Sequence, residues 1–251
     1  LLCGIVGLAP APSHAESDPR AVKVADEVLK ALGGKEAWDK TRYLRFGFGF
    51  TRDGKLQTRT HTWDKWTGRY RLEGQDAEGK PFVVLMNVNT REGQAFVDGQ
   101  RAAAEDEKKR VERAYGTWIN DTYWLLMPYK LRDPGVTLGY DGEATEGGAT
   151  YDKLALSFDN VGLTPKDRYW VWVNRDTKLV DRWDFVLKGE EVPPTTFHWK
   201  DWRTVGQVKL AGERVNPKDG FRLVFPVLEA PASLPDAVFT SPAAAAAPSG
   251  S

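Results

Sequence analysis

Arg168-Tyr-Trp-Val-Trp-Val173, the polar turn Asn174-Arg-Asp-Thr177, and then Lys178 to Lys188, Thr195 to Arg203 and Gln207 to Leu210 decide how this chain is read. Aromatic and β-branched side chains at this density suit a pleated, half-buried surface, and the short polar turns between them predict consecutive antiparallel strands. Five of the ten tryptophans, Trp170, Trp172, Trp183, Trp199 and Trp202, fall in this stretch. Along Lys178 to Lys188, Leu179, Trp183, Phe185 and Leu187 share one face while Val180 and Val186 mark the other. A sheet apolar on both sides needs helices on one side and either a second layer or a cavity on the other. The reading of the residues leaves cavity and solid core open.

Working outward, strands are predicted at Tyr43 to Thr51, Lys55 to Asp64, Gly68 to Glu73, Pro81 to Val88 and Gln94 to Val97, with Asp53-Gly54, Glu78-Gly79 and Asp98-Gly99 as hairpin signals. Further strands follow from Val136, at Tyr151 to Phe158 and at Phe221 to Val227. Asp18-Pro19 opens a first helix whose Ala21, Val22, Ala25, Val28, Leu29 and Leu32 recur at helical spacing until Gly33-Gly34 stops it. A second helical region runs from Ala102 through the charged Glu105 to Arg110 and on to Val111, Tyr115 and Trp118. Asn120-Asp121 is expected to re-cap it before Pro128 ends it. The charge run is the solvated face of that helix.

Residues 1–15 carry no Lys, Arg, Asp or Glu, and Leu1 to Leu8 followed by Ser13-His14-Ala15 predict the remainder of a secretory signal peptide cleaved after Ala15. A buried N-terminal strand is the competing reading, which Pro10 and Pro12 disfavour. The protein is therefore expected in the periplasm or secreted, with a lipid anchor at Cys3 as a secondary option. Its context Leu1-Leu2-Cys3-Gly4 matches a lipoprotein box only in part. The expected organisation is a signal remnant at 1–15, one domain over 16–229, and a disordered Pro/Ala-rich tail over 230–251.

Thirty-five basic and thirty-five acidic side chains cancel, which removes the electrostatic case for nucleic acid. His61 and His198 stand in no metal-ligand spacing, and Cys3 is the only cysteine. No nucleophile elbow, phosphate loop or dinucleotide fingerprint occurs, so neither an enzyme nor a cofactor is expected. Asp181, Asp184 and Asp201 interrupt aromatic strands. Structural ion pairing with Arg168, Arg182 or Lys200 is the first reading for them, ahead of paired-carboxylate catalysis. If the aromatics enclose a cavity, its expected lining is Trp118, Trp124, Trp170, Trp172, Trp183 and Phe185.

Ala31-Leu-Gly-Gly34, Trp66-Thr-Gly-Arg-Tyr-Arg71, the central helical insertion, Tyr169-Trp-Val-Trp-Val173 with Asn174-Arg-Asp-Thr177 and Leu179-Val-Asp-Arg-Trp183, and Trp202 to Val215 around Val205-Gly206 together resemble the LolA/LolB-like lipoprotein-sorting superfamily over about residues 18–228. The resemblance implies an α+β, mainly β fold: a curved, unclosed antiparallel half-barrel wrapped over helices, with an apolar cavity between. It also implies a periplasmic carrier of a lipid or a lipoprotein acyl chain, so a non-enzymatic role is expected; an envelope protein partner is a separate expectation. The superfamily's lid-contacting arginine has no unique counterpart by motif. Two rivals remain, a structural module of the envelope with a filled core and a hydrolase working inside the cavity.

Overall fold

A computed structural model describes residues 16–52, 55–158, 167–187 and 191–243. The predicted signal segment, the Asp53-Gly54 turn and the end of the tail lie outside the described residues.

The chain opens with α1 (Pro19–Ala31), where the Asp18 carboxylate accepts from the amides of Arg20 and Ala21 and Pro19 takes the first helical position. Its apolar stripe of Ala21, Val24, Ala25 and Val28 is buried. Gly33 ends it at φ 116°, where an added Cβ would meet the Gln207 carbonyl at 2.4 Å, so only glycine fits. A further helix, α2 (Gly34–Lys40), follows where no helix was expected. It lacks a long apolar stripe and carries two i,i+4 pairs, Lys35 with Asp39 and Glu36 with Lys40.

Strands β1 (Tyr43–Arg52), β2 (Lys55–Asp64), β3 (Arg69–Gln75), β4 (Pro81–Asn87), β5 (Gly93–Val97) and β6 (Gln100–Arg101) form one antiparallel arm. The last hairpin turns through Asp98 and Gly99, both at positive φ, as the two-residue turn between twisted strands requires. After α3 (Ala104–Leu126) and a single 3-10 turn at Met127–Tyr129, the second arm comprises β7 (Val136–Glu146), β8 (Ala149–Phe158), β9 (Arg168–Asn174), β10 (Val180–Val186), β11 (Thr195–Val205), β12 (Val208–Val215) and β13 (Arg222–Val224). β13 returns to lie beside β1, and the short β14 (Leu228–Glu229) pairs with β1 as well. The arms thus join at β1 into one open antiparallel sheet running from β6 to β7, the mainly β, unclosed architecture expected from the sequence.

One face of this sheet is covered by α1, α3 and the turn at Met127–Tyr129. The larger core lies between α1, the end of α3, β1 and the second arm. A smaller core joins Tyr70, Leu72, Val84, Met86 and Ala95 of the first arm to Val111 and Ala114 of α3. Trp63 packs against both. α3 is one continuous helix: Asp121 does not re-cap it but turns its carboxylate inward to the sheet.

The segment after Ala230 departs from the tail expected on composition. Through Ala243 it lies on the outer face, where Val238 and Phe239 of α4 (Ala237–Thr240) are buried with Tyr43. The fully buried Arg71 donates to the carbonyls of Val238, Ser241, Pro242 and Ala243 and to Glu73. A low-complexity composition hid one Val-Phe pair, which is enough apolar surface to anchor a segment once a cation satisfies its carbonyls.

Candidate functional site: a cleft beneath the long helix

Strand alternation decides which aromatics meet. Trp183 pairs with Val171 and Phe185 with Tyr169, which sets these four on the helix-covered face. There Trp124 of α3 stands 4.8 Å from Trp183, 5.9 Å from Phe185 and 5.0 Å from Phe197, centroid to centroid, and Tyr123 lies 5.8 Å from Trp183. Edge-on and tilted contacts of this kind fill space efficiently. Trp183 is 2% exposed.

Three of the six expected lining residues, Trp124, Trp183 and Phe185, are therefore brought together. Trp118 sits on the same helix but packs in the first arm, 5.3 Å from Trp63. Trp170 and Trp172 are not brought to them. Their partners are Asp184 and Arg182, so both rings lie on the opposite face. There the Trp172 indole donates to Asp184 at 2.9 Å, Arg182 stands 4.2 Å from its ring and also binds Asp184, and Thr196 donates to the same carboxylate. Asp184 is thus a structural ion-pair partner. Asp181 accepts from Asn174, and Asp201 pairs with Arg203. Trp170 borders a separate hollow of about 650 Å³ between residues 16–19 and strands β7 to β9.

The space under α3 opens in the first arm instead. A cleft of about 500 Å³ lies between the N-terminal half of α3 and the inner face of β1 to β4. Phe48, Phe50, Leu72, Phe82 and Val84 make its apolar floor, and the β1–β4 pairing places all five on one face. Asp106, Lys109, Arg110, Arg113 and Thr117 of α3, with Asp76 and Glu78 of the β3–β4 turn, form the polar side. The volume falls within the roughly 300–1,000 Å³ usual for small-molecule sites.

Two buried polar attachments hold α3 over the sheet. Arg59 donates to both oxygens of Asp121, at 2.5 and 2.8 Å. His61 sets Nε2 2.9 Å from Asp121 Oδ2, without the alignment of a straight hydrogen bond, and places Nδ1 2.7 Å from the Tyr70 hydroxyl. His61, Asp121 and Tyr70 are all fully buried. Burial lowers the imidazole pKa below its ordinary 6.5 against the opposing pull of Asp121, and so favours the neutral ring. Burial alone would raise the Asp121 carboxyl, but the close approach of His61 and the two hydrogen bonds from Arg59 outweigh it and hold the group below the usual carboxylate range. The second attachment is Arg214 of β12, fully buried, whose Nη2 donates to the Trp124 carbonyl at 2.8 Å and whose Nη1 donates to Ala211 at 3.0 Å. Its guanidinium lies 3.4 Å from the Trp199 ring centroid. A cation on the last carbonyls of α3 meets both their unsatisfied acceptors and the negative end of the helix.

Arg59, Asp121, His61 and Arg214 do not stand out in the sequence as a site, because Arg59 lies 62 residues from Asp121 and Arg214 lies 90 from Trp124. The floor had a readable signal, the alternation of Phe46, Phe48 and Phe50 in β1.

Fold and site together define an open antiparallel sheet whose long covering helix seals one arm and leaves a part-apolar cleft over the other. Similar solved structures include a DUF1329 family protein from Desulfovibrio piger ATCC 29098, at 14% identity and TM-score 0.49 over 89% of this chain and 98% of that one. LolA superfamily protein NE2245 from Nitrosomonas europaea is similar at 12% identity and TM-score 0.49, over 86% of this chain and 97% of that one. A domain described as an outer membrane lipoprotein-sorting protein from Vibrio parahaemolyticus is similar at 9% identity and TM-score 0.47, over 88% and 96%. No protein-family model and no curated protein matches the chain.

Proposed function

We propose that this chain is an exported, non-enzymatic binding protein that holds an apolar chain, a lipid or an acyl group, in the cleft between α3 and the first arm of the sheet. The observation that carries the reading is the cleft itself: about 500 Å³, floored by Phe48, Phe50, Leu72, Phe82 and Val84, beneath a helix fixed to the sheet. Transfer into such a site needs no catalytic group, since each methylene moved out of water is worth about 0.8 kcal/mol. The Trp124, Trp183 and Phe185 cluster takes a different part in this reading: it anchors the far end of the same helix. Among the described residues no helix is long and apolar enough to cross a membrane.

The test is native mass spectrometry of the protein purified gently from an exporting host, then after delipidation and after adding a fatty acid. A retained or restored apolar adduct, weakened by Phe82→Ala with the fold intact, is the expected result. A protein that carries no adduct and takes up none is a filled structural module, and the carrier reading falls.

A further inference from the structure

Resting on that reading of the cleft, we infer that its ligand is an amphiphile with an oxyanion head, a carboxylate or a phosphate, which Arg113 receives while the chain lies on the phenylalanine floor.

Most charges along the lining already have a partner. Arg59 is bound by Asp121, Arg110 by Asp106 with Asp76 at 3.9 Å, Lys109 by Glu105, and Glu78 by Lys80. Arg113 remains the one charged side chain of the lining with no ion pair among the described residues, and it is exposed. It lies one turn beyond Lys109 and Arg110 on the face of α3 that borders the cleft, together with Ala114 and Thr117. Arg59 adds to this character from the floor. Its Nε and Nη2 bind Asp121, its guanidinium lies 4.8 Å from the centroid of the Phe48 ring, and its side chain keeps 31% exposure. A neutral lipid would leave the Arg113 side without use. A carboxylate or phosphate matches the planar fork of a guanidinium, and the apolar floor excludes a fully hydrated anion.

The experiment compares dodecanoic acid, dodecyl phosphate and dodecanol at pH 8 by displacement of a fluorescent fatty probe from the delipidated full chain. Both anionic ligands are expected to bind about tenfold or more tightly than the alcohol, the ratio that one charge-assisted hydrogen bond supplies. Raising the salt concentration should shrink this ratio. Arg113→Gln should collapse it to near unity while leaving dodecanol affinity unchanged, and Lys108→Gln, an exposed charge on the same helix outside the lining, should preserve it. Equal affinity for acid and alcohol, or equal loss in both variants, overturns the inference while leaving an apolar-chain carrier standing. Displacement of the probe by inorganic phosphate alone would make the site one for a free anion and overturn it too. Failure of all three ligands to bind would remove the parent reading.

Discussion

The two arms of the sheet offer their inner faces to the same helix and end differently. Over the second arm, Tyr123 and Trp124 of α3 meet Tyr169, Trp183, Phe185 and Phe197, and rings fill the space. Over the first arm the helix presents Asp106, Lys109, Arg110, Arg113 and Thr117 to a floor of Phe48, Phe50, Leu72, Phe82 and Val84 with Arg59 among them. Charged ends keep to water even when their stems lie on apolar surface, so the part of the arm beneath them stays open beside the smaller core that Val111 and Ala114 close. Where the covering helix carries aromatic rings the space fills, and where it carries charged side chains the space stays open.

The largest effect is expected at Trp183, in the closed core of the second arm. Trp183→Ala should cost about 3–5 kcal/mol in urea denaturation, as for a large aromatic cut from a packed interior. A cost below about 1 kcal/mol would place the ring against exchangeable space and make the arms alike. Next in size is truncation after Ala230, which exposes Tyr43, removes Val238 and Phe239 and strips Arg71 of its four carbonyl acceptors. A loss of about 2–4 kcal/mol, read as a lower thermal midpoint, is expected. An unchanged midpoint would return the segment to the dispensable tail that its composition suggested.

A smaller effect concerns the attachment of α3 to the first arm, where His61 and Arg59 hold Asp121. Burial depresses the His61 pKa below 6.5, so the unfolded chain binds the proton more readily than the folded one. The contribution is present above pH 6.5 and is lost as the pH falls below it. Urea midpoints at pH 7.5 and 5.5 should therefore differ less in His61→Gln than in the unmodified protein. An undiminished difference would assign the acid sensitivity to other groups. The smallest expected change is Phe82→Ala on the cleft floor, about 1 kcal/mol or less, because this half-buried ring borders the opening. A core-sized loss there would mean that the first arm is as closely packed as the second.

Much of the fold was legible in the sequence. Alternation located the strands, Asp98-Gly99 marked a hairpin turn, and Asp18-Pro19 with Gly33 bounded α1. α2 is not legible there, because its seven residues carry too short an apolar pattern. The faces of β10 were partly misjudged for a definite reason: a bulge between Val180 and Arg182 adds a residue, so Val180 pairs with Val173 and Trp183 with Val171 on the same face although three positions apart. The same pairing sent Trp170 and Trp172 outward. The aromatic content predicted a crowded sheet and left open which rings would crowd together.

By itself the sequence determined the mainly β architecture, the two long helices and the balanced charge, because propensity, turn chemistry and periodicity act over a few neighbouring residues. Only the tertiary structure decided that Arg59 and His61 meet Asp121, that Arg214 holds the end of α3, that residues 231–243 pack on the outer face, and that the open space lies beneath Arg113 instead of beneath Trp124. These are contacts between segments far apart in the chain. Their partners are chosen by strand register and by where one long helix happens to lie, and neither is encoded in any local window of residues.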